Sequence, residues 1–423
     1  MRDWLATAAE RHPGHPAVVA GGRPVSYREL DRGANRAARR LAALGVATGS
    51  LVASTLPAGA AFAELLYAAP RLGAVLAPLD PAHPPRVEAA VTVSGPLTGH
   101  EAEVELLGHH QPDAVHSVIH TSGTSGRPKA VELTFANHAA SAAASAAHLG
   151  LDPADRWLGV LPVFHVGGLA VLLRSSIAGA TAVLEERFRA ATVREMLERG
   201  ELTIASVVPT MLARLRAEGL AAAPGLRAVL VGGGPLPAEL FDWALAAGIP
   251  VCPTYGMTET SSQVATARPG ERHPRPLPGV QIRIGDKGEI LVRGAMVAGS
   301  ALGPDGWVHT GDRGRLDAHG RLRVEGRLKE IIVTGGENVA PAEVEEALLA
   351  HPAVADAGVA GLPDPEWGEA VTAFVVAPGA DPAELREWCR EQLPPPKVPK
   401  QVVLVDTLPR NAAGKLERER LGG

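Results

Sequence analysis

Apolar and polar residues follow two different spacings in the first part of the chain. Residues 31–44 and 60–73 place apolar side chains three and four positions apart, whereas residues 51–56 and 75–78 form short apolar runs. The first spacing predicts amphipathic helices, and the second predicts short buried strands. Helices and strands that alternate in this way predict layered α/β structure.

The alternation continues to about residue 255. Apolar strands are predicted over residues 115–121, 226–231 and 249–255, and helices over residues 137–149 and from about residue 238. The three strands run into loops of glycine or polar residues, so these loops are candidates for chemistry.

Beyond residue 281 the pattern changes to hairpins followed by a compact α+β unit. Two hairpins are predicted from strands that flank short turns: residues 281–284 with 289–293, and 314–316 with 322–325. Helix and strand then alternate: a helix from Pro341, where proline suits the first helical position, a strand over 371–376, a helix over 382–393 and a strand over 402–405. We place a boundary near residues 326–329, which divides the chain into domains of residues 1–327 and 328–423.

The composition excludes several classes of protein. The 423 residues carry a net charge of −5 with both signs mixed, so no basic stripe is available for nucleic acid. Cys252 and Cys389 lie far apart and outside any C-x-x-C pair, which argues against a disulfide framework or a zinc site. The N-terminus lacks a signal-peptide pattern, and the longest apolar stretch, residues 163–173, is too short for membrane insertion. We therefore expect a cytoplasmic protein.

The first segment with candidate chemistry is His120-Thr-Ser-Gly-Thr-Ser-Gly-Arg-Pro-Lys129, which follows a predicted strand. Its backbone N–H groups and hydroxyls can hold a polyphosphate, and Lys129 adds charge. The spacing differs from that of a Walker loop. A flexible Ser/Gly turn is the alternative that the loop by itself leaves open.

The whole string resembles the phosphate-binding loop of the adenylate-forming superfamily, which comprises acyl-CoA synthetases, carrier-protein adenylation domains and luciferases. Five further motifs of that superfamily recur in order: Gly232-Gly-Gly-Pro235 (adenine-side turn), Thr254-Tyr-Gly-Met-Thr-Glu-Thr260 (nucleotide loop), His309-Thr-Gly-Asp312 (ribose segment), Gly326-Arg-Leu-Lys-Glu-Ile-Ile-Val-Thr-Gly-Gly-Glu-Asn338 (hinge and following loop) and Leu408-Pro-Arg-Asn-Ala-Ala-Gly-Lys415 (C-terminal lysine motif). The resemblance runs from about Trp4 to the end of the chain.

The resemblance implies both a fold and a reaction. The fold is α/β, with a large N-terminal domain of layered α/β subdomains and a β-barrel-like part, followed by a small, mobile α+β C-terminal domain. In the reaction a carboxylate attacks the α-phosphate of ATP and releases pyrophosphate, with Mg²⁺ as the metal, and the thiol of coenzyme A then displaces AMP. Because two anions must meet, the residues mainly neutralise charge and align the reactants.

The superfamily's residue roles carry over to the matching positions. Glu259 is expected to hold Mg²⁺, and Thr258 to contact phosphate. Asp312 and Arg327 are expected to bind the ribose while Tyr255 stacks on adenine. The expected catalytic residues are Lys415, which bridges the carboxylate and the α-phosphate, together with His165, Thr258 and Glu259. The other expected ATP-binding positions are Thr121, Ser122, Gly123, Thr124, Ser125, Gly126, Lys129, Gly232, Gly233, Gly234, Pro235, Thr254, Gly256 and Met257.

Taken one at a time, these residues have ordinary alternatives. Asp312 could cap a hairpin turn, Glu259 could be a solvated loop acid, and Lys415 could be a tail lysine. Lys415 lies on the small domain, so it can reach the nucleotide only when that domain docks in one orientation. The superfamily rotates this domain about a hinge, which matches Lys329, and in the second orientation Gly335 and Gly336 are expected to line the path of the CoA arm.

Residues 161–169 begin the segment that borders the acyl pocket in this superfamily. His165 and Gly168 are expected beside the substrate carboxylate, with a core histidine bonded to backbone as the alternative for His165. We find no aspartate motif of the amino-acid-activating members, which disfavours an amino-acid substrate. Arg174 follows an apolar run, and a guanidinium in a core needs an anion. It is therefore either a clamp for a second substrate carboxylate or a helix-end arginine that faces solvent or a surface acid.

The strings LPVFHVGGLAVLLRS, TYGMTETSSQ and GGENV are most similar to those of o-succinylbenzoate–CoA ligases of menaquinone biosynthesis. Their substrate has two carboxylates, and the resemblance assigns the one that is not activated to Arg174, with Ser261, Ser262 and Gln263 in the same pocket. We therefore expect o-succinylbenzoate as the small-molecule acid, and a homodimer as the oligomeric state. The alternatives are another aromatic or short-chain acyl-CoA synthetase, a stand-alone adenylation enzyme that loads a carrier protein, and a catalytically silent nucleotide-binding relative.

The chain departs from the superfamily pattern at two places. Ala130 replaces the glycine that usually follows the loop lysine, which narrows the freedom of the loop. Residues 83–116 form a shorter segment than is usual in the superfamily. We therefore expect part of the outer surface of the N-terminal domain to be trimmed. Neither departure removes a chemical group.

Overall fold

The protein is described by a computed structural model that covers residues 1–121, 129–410 and 416–422. In chain order its helices are α1 Trp4–Arg11, α2 Tyr27–Ala43, α3 Ala60–Arg71, α4 Phe135–Leu149, α5 Val166–Ala178, α6 Ala190–Glu198, α7 Pro209–Ala217, α8 Ala238–Ala246, α9 Pro341–Leu349 and α10 Pro382–Gln392. Its strands are β1 Pro16–Ala20, β2 Arg23–Ser26, β3 Leu51–Ser54, β4 Val75–Pro78, β5 Val91–Val93, β6 Val115–Thr121, β7 Lys129–Thr134, β8 Arg156–Gly159, β9 Thr181–Leu184, β10 Ile204–Val207, β11 Ala228–Val231, β12 Val251–Met257, β13 Ser262–Thr266, β14 Arg275–Pro276, β15 Gln281–Ile284, β16 Glu289–Arg293, β17 Val308–Leu316, β18 Leu322–Arg327, β19 Ile332–Thr334, β20 Glu337–Val339, β21 Asp356–Asp364, β22 Gly368–Val376 and β23 Gln401–Leu404.

Two mainly parallel sheets form the first part of the chain. One has nine strands in the order β14-β13-β12-β11-β10-β8-β9-β1-β2, and the other has five in the order β5-β3-β4-β6-β7. The strands of the first sheet that carry β-branched and aliphatic runs, such as β10 and β11, are buried along their whole length. Helices pack against both sheets, so the predicted layered α/β structure is confirmed.

Helix α2 shows how a local signal moves a predicted boundary. Ser26 accepts a hydrogen bond from the Glu29 backbone N–H, and the Glu29 carboxylate accepts one from the Ser26 backbone N–H at 2.8 Å. This capping box starts the helix at Tyr27, one turn before the predicted start at residue 31. The helix core, including Leu30 and Leu41, is fully buried.

The predicted hairpins form a four-stranded antiparallel sheet in the order β15-β16-β17-β18. The pairing of β17 with β18 places Asp312 opposite Arg327. This sheet occupies the part of the chain where the resemblance implies a β-barrel-like region. Its core includes Ile290, Val292 and Leu322, all fully buried.

The last part of the chain forms its own sheet and core. The sheet has the order β20-β19-β22-β21, with β23 parallel to β22, and α9 and α10 cover it. Its buried cluster contains Val344, Leu348 and Leu385. Arg272 lies 3.6 Å from Glu346 of α9 and links this part to the residues before it. Among the described residues, no helix has both the length and the apolar character needed to cross a membrane.

Candidate active site

The carboxyl ends of β11 and β12 meet at two positions that only glycine can fill. A Cβ atom on Gly232 would lie 2.5 Å from the Thr254 hydroxyl oxygen, and one on Gly256 would lie 1.9 Å from the Ser262 carbonyl oxygen. Gly233 has φ +80°, which also favours glycine. The structure thus brings the predicted adenine-side turn, Gly232–Pro235, against the predicted nucleotide loop.

Tyr255, Asp312 and Arg327 form one hydrogen-bonded group. The Tyr255 hydroxyl donates to Asp312 Oδ2 at 2.7 Å, and Arg327 Nε lies 2.9 Å from Asp312 Oδ1. Thr310 Oγ1 accepts from the Asp312 backbone N–H at 3.1 Å. Burial and the Asp312 carboxylate raise the pKa of Tyr255, so its hydroxyl keeps its proton. Asp312 lies within β17, not in a turn, which excludes the role of a hairpin cap.

Glu289 supports this group from the neighbouring strand, a contact that the sequence analysis missed. Its Oε1 accepts the Gly311 backbone N–H at 2.9 Å, and its Oε2 lies 2.9 Å from His309 Nδ1. Asp305 Oδ1 lies 3.5 Å from the other ring nitrogen of His309. The two carboxylates raise the pKa of His309. Glu289 therefore holds the backbone just before Asp312.

Thr258 and Glu259 lie in a short 3₁₀ turn, Thr258–Thr260, which follows β12. The Glu259 backbone oxygen accepts the Ala298 N–H at 2.8 Å, and this bond fixes the turn. Within residues 1–121, 129–410 and 416–422 we find no hydrogen-bond or ion-pair partner for the half-buried Glu259 carboxylate. Mg²⁺ at nucleotide sites is commonly held by one or two carboxylates together with phosphates, so this side chain fits that role.

Strands β6 and β7 hold the two ends of the predicted phosphate loop. Thr121 pairs with Lys129, and its hydroxyl donates to the Lys129 carbonyl oxygen at 3.3 Å. The Lys129 residue is exposed. The predicted phosphate-binding residues between these ends lie outside the described residues: Ser122, Gly123, Thr124, Ser125 and Gly126.

Arg174 is buried in the interior, with 3% of the residue exposed. Its Nη1 donates to Gln263 Oε1 at 2.7 Å and its Nη2 donates to Ser141 Oγ at 2.8 Å. Its Nε is also buried and has no partner in the described part of the chain. Burial lowers the pKa of Arg174 to about 10, so the guanidinium stays charged at neutral pH. Arg174 therefore does not face solvent or a surface acid, and its charge is held by neutral groups.

The backbone next to Gln263 takes an uncommon conformation. Ser261 has φ +52° and Ser262 has φ +90°, values that non-glycine residues rarely adopt. The Ser261 hydroxyl donates to the Met296 carbonyl oxygen at 2.8 Å, and the Ser141 hydroxyl donates to the Ser261 carbonyl oxygen at 2.7 Å. Such strained backbone is often found at binding sites. The predicted pocket residues Ser261 and Gln263 thus lie beside Arg174.

His165 occupies the N-cap position of α5, and its side chain does not cap the helix. Burial lowers the pKa of His165, partly opposed by the Asp80 carboxylate, so the ring is neutral at pH 7. We find no hydrogen bond from this ring to described backbone, in contrast with the core-histidine alternative. A Cβ atom on Gly168 would lie 2.3 Å from the Pro162 carbonyl oxygen, which makes glycine necessary for the turn into α5.

The predicted hinge residue Lys329 and helix α9 are each joined to the C-terminal tail by an ion pair. Lys329 lies in a short 3₁₀ turn, and its Nζ is 3.6 Å from Glu419 Oε1. Arg418 pairs with Glu345 of α9 at 2.6 Å. Gly335 and Gly336 both have positive φ, and the Gly335 N–H donates to the Trp367 carbonyl oxygen. Lys415 lies outside the described residues.

The comparisons with known proteins agree with this geometry. Residues 5–96 and 87–300 match the family described as AMP-binding enzyme, and residues 343–415 match the AMP-binding enzyme C-terminal domain. The chain is 37% identical to the 2-succinylbenzoate–CoA ligase of Bacillus licheniformis, with 99% of each chain covered.

Two solved structures of o-succinylbenzoate coenzyme A synthetase from Bacillus subtilis are also similar. The complex with the acyl-adenylate intermediate has a TM-score of 0.93 at 35% identity, covering 100% of this chain and 98% of that one. The complex with ATP and magnesium ion has a TM-score of 0.92 at 35% identity, covering 100% and 99%. The predicted fold and superfamily are thereby confirmed, and the chain belongs to the AMP-binding enzyme family.

Proposed function

We propose that the chain is an ATP-dependent 2-succinylbenzoate–CoA ligase, acting in menaquinone biosynthesis. The observation that carries the proposal is the buried, charged Arg174, whose partners among the described residues are neutral and leave its Nε–H without an acceptor there. A buried charge without a counterion is costly, and a substrate carboxylate supplies the missing charge. The names of the similar enzymes point to the same acid, which has two carboxylates.

The nucleotide half of the proposed reaction follows from the Asp312 group. The Asp312 carboxylate is held by Tyr255 and Arg327 and is suited to accept hydrogen bonds from the two ribose hydroxyls. The backbone of Gly232–Pro235 would lie against the adenine, and the ring of Tyr255 would stack on it. Lys129 and the loop before it would hold the phosphates.

The acid half uses His165 and Arg174 at the two ends of the same short segment. The neutral ring of His165 can donate one hydrogen bond to the attacking carboxylate. Arg174 holds the other carboxylate, so the acid is fixed at two points. Fixing the attacking oxygen in line with the α-phosphate is the main contribution to the rate.

The charge that develops at the α-phosphate would be neutralised by two cations, Mg²⁺ and Lys415. Glu259 would hold Mg²⁺, which would supply Lewis-acid stabilisation of the phosphate oxygens when bound. Lys415 of the C-terminal domain bridges the carboxylate and the α-phosphate. The division into domains 1–327 and 328–423, with Lys329 as the hinge, forms part of this proposal, and Gly335 with Gly336 line the path of the CoA thiol in the second step.

A cytoplasmic location completes the proposal. Cys252 and Cys389 are both free and buried, as suits a reducing compartment. The co-substrates ATP and coenzyme A are available there. The runner-up functions are another aromatic or short-chain acyl-CoA synthetase and a stand-alone adenylation enzyme that loads a carrier protein.

The experiment that tests the proposal is acid-dependent ATP–pyrophosphate exchange, followed by detection of the CoA thioester. Purified protein is assayed with 2-succinylbenzoate, benzoate, a hydroxycinnamate and acetate, each with ATP and Mg²⁺. We expect exchange and thioester formation with 2-succinylbenzoate at the highest kcat/KM. A higher kcat/KM with any monocarboxylic acid, or adenylation without transfer to CoA, would contradict the proposal.

A further inference from the structure

A set of hydrogen bonds holds the two Nη groups of the Arg174 guanidinium. Arg174 donates to Ser141 Oγ and to Gln263 Oε1, and each of these side chains forms a further hydrogen bond. Ser141 donates onward to the Ser261 carbonyl oxygen at 2.7 Å, and Gln263 Nε2 donates to Thr266 Oγ1 at 2.9 Å. Each partner of Arg174 is therefore itself oriented by a further hydrogen bond.

Ser141 accepts a hydrogen bond from Arg174 and donates one to the Ser261 carbonyl oxygen, a pair of contacts that no other described residue makes. Its hydroxyl carries one proton, which goes to Ser261, so its oxygen is left to accept from Arg174. The residue is 2% exposed, so its hydroxyl is shielded from bulk solvent. Ser141 thus connects α4, α5 and the strained turn at Ser261.

A second polar residue of α4 adds no competing charge near the arginine. His138 is fully enclosed, and burial together with Arg174 lowers its pKa to about 3, which keeps the imidazole neutral. Its Nε2 lies 2.9 Å from Ser117 Oγ, so its polar contact is directed to β6. The hydrogen-bond partners of Arg174 are thus oriented dipoles, and no carboxylate of the described residues forms an ion pair with it.

We propose that Ser141 is a positioning residue that sets the orientation of the Arg174 guanidinium for the second carboxylate of the substrate. The proposal rests on the proposed function of Arg174. A guanidinium presents its N–H groups as a rigid planar fork. Holding Nη1 through Gln263 and Nη2 through Ser141 fixes the plane of that fork and leaves the buried Nε–H for the ligand.

The proposal assigns a new role to Gln263 as well. Gln263 is predicted from the sequence to line the acid pocket, but both ends of its side-chain amide are engaged, by Arg174 and by Thr266. Gln263 therefore acts on the substrate through Arg174. Gln263→Glu is nearly isosteric and would place a carboxylate oxygen where Gln263 Oε1 now lies, 2.7 Å from Arg174 Nη1. This carboxylate would neutralise the charge of Arg174.

The test compares Ser141→Ala with Ser145→Ala, a matched control on the same helix. Ser145 is also fully buried, but its hydroxyl has no hydrogen-bond partner among the residues that the structure describes. Each variant is assayed by ATP–pyrophosphate exchange with 2-succinylbenzoate and with 4-oxo-4-phenylbutanoate, which is the same acid without its ring carboxylate. Thermal unfolding of each variant shows whether it is folded.

We expect Ser141→Ala to raise KM for 2-succinylbenzoate roughly tenfold, the effect of one lost hydrogen bond to a charged group. Its kcat at saturation and its KM for the monocarboxylic acid should stay near the wild-type values, as should every parameter of Ser145→Ala. Gln263→Glu should raise KM for the dicarboxylic acid more than Ser141→Ala does, and by a larger factor than it changes KM for the monocarboxylic acid.

Three outcomes would overturn the inference. They are an unchanged or lower KM for 2-succinylbenzoate in Ser141→Ala, an equal effect on both acids, and an equal effect in Ser145→Ala. Arg174→Ala distinguishes this failure from that of the proposed function. If Arg174→Ala does not raise KM for the dicarboxylic acid, the clamp itself is refuted, whereas a large effect there with none in Ser141→Ala refutes only the positioning role.

Discussion

Gly256→Ala is expected to damage the ATP site and the acid site at the same time. The added methyl carbon would lie 1.9 Å from the Ser262 carbonyl oxygen and 2.6 Å from Gln263 Cα. Both atoms belong to the backbone of β13, so no side-chain rotation relieves the contact. The pair of strands must open by about 1 Å, and overpacking of this kind costs about 1–3 kcal/mol of stability.

The position of Gly256 explains why both substrates should be affected. Tyr255, the preceding residue, donates its hydroxyl to Asp312, and Gln263, on the opposite strand, accepts from Arg174. A displacement of about 1 Å at reacting groups typically lowers activity about 100-fold. We therefore expect kcat/KM to fall by that order for ATP and for the acid alike.

The assay is ATP–pyrophosphate exchange at varied ATP and varied acid, with urea unfolding as the measure of stability. Gly95→Ala is the control, because a Cβ atom there has no neighbour within 4 Å and the backbone φ is not positive. A loss confined to one substrate, or wild-type kinetics in Gly256→Ala, would refute the argument that the β12–β13 contact holds both sites.

Three further predictions concern the nucleotide site, the tail and pH. Asp312→Asn should raise KM for ATP about 100-fold by removing a charged acceptor, with KM for the acid little changed; exchange kinetics check this, and an equal rise for both would count against a ribose role. Lys415→Ala should abolish adenylation but retain thioester formation from supplied acyl-adenylate, as measured by single-turnover assays of each step; equal loss in both steps would argue against two domain orientations. Because Glu289 and Asp305 raise the pKa of His309, its stabilising effect is present below pH 6.5 and lost as pH rises through the raised value. His309→Gln should therefore lower the urea midpoint more at pH 6 than at pH 8, and a constant difference would be inconsistent with that linkage.

The nucleotide residues could be predicted because they lie in long, unusual strings at the ends of clear strands. Tyr255, Asp312 and Arg327 are far apart in sequence, yet the structure joins them within one hydrogen-bonded group. The layered fold could also be predicted, because the spacing of apolar residues distinguishes helices from strands along the first part of the chain. Helix α5 was not predicted as such, because it is buried on nearly every side and its apolar residues show no periodic face.

The supporting residues could not be predicted from the sequence. Ser141 and Ser145 are both serines within an alanine-rich helix, one turn apart, and nothing in their surroundings along the chain distinguishes them. Only the packing of α4 against α5 and β13 brings Ser141, and not Ser145, to Arg174. Glu289 was missed for an equivalent reason, since its contact with Gly311 depends on the register between β16 and β17.

The hydrogen-bond set at Arg174 also determines how the enzyme could be redesigned for a monocarboxylic acid. Arg174, Ser141 and Gln263 are each buried, and each satisfies polar atoms of another. Replacing the arginine by itself would leave the amide oxygen of Gln263 and the hydroxyl oxygen of Ser141 without their donor, at a cost of about 1–3 kcal/mol for each atom. An apolar pocket therefore requires all three side chains to change together, so a new acid specificity is reached through a coordinated triple substitution.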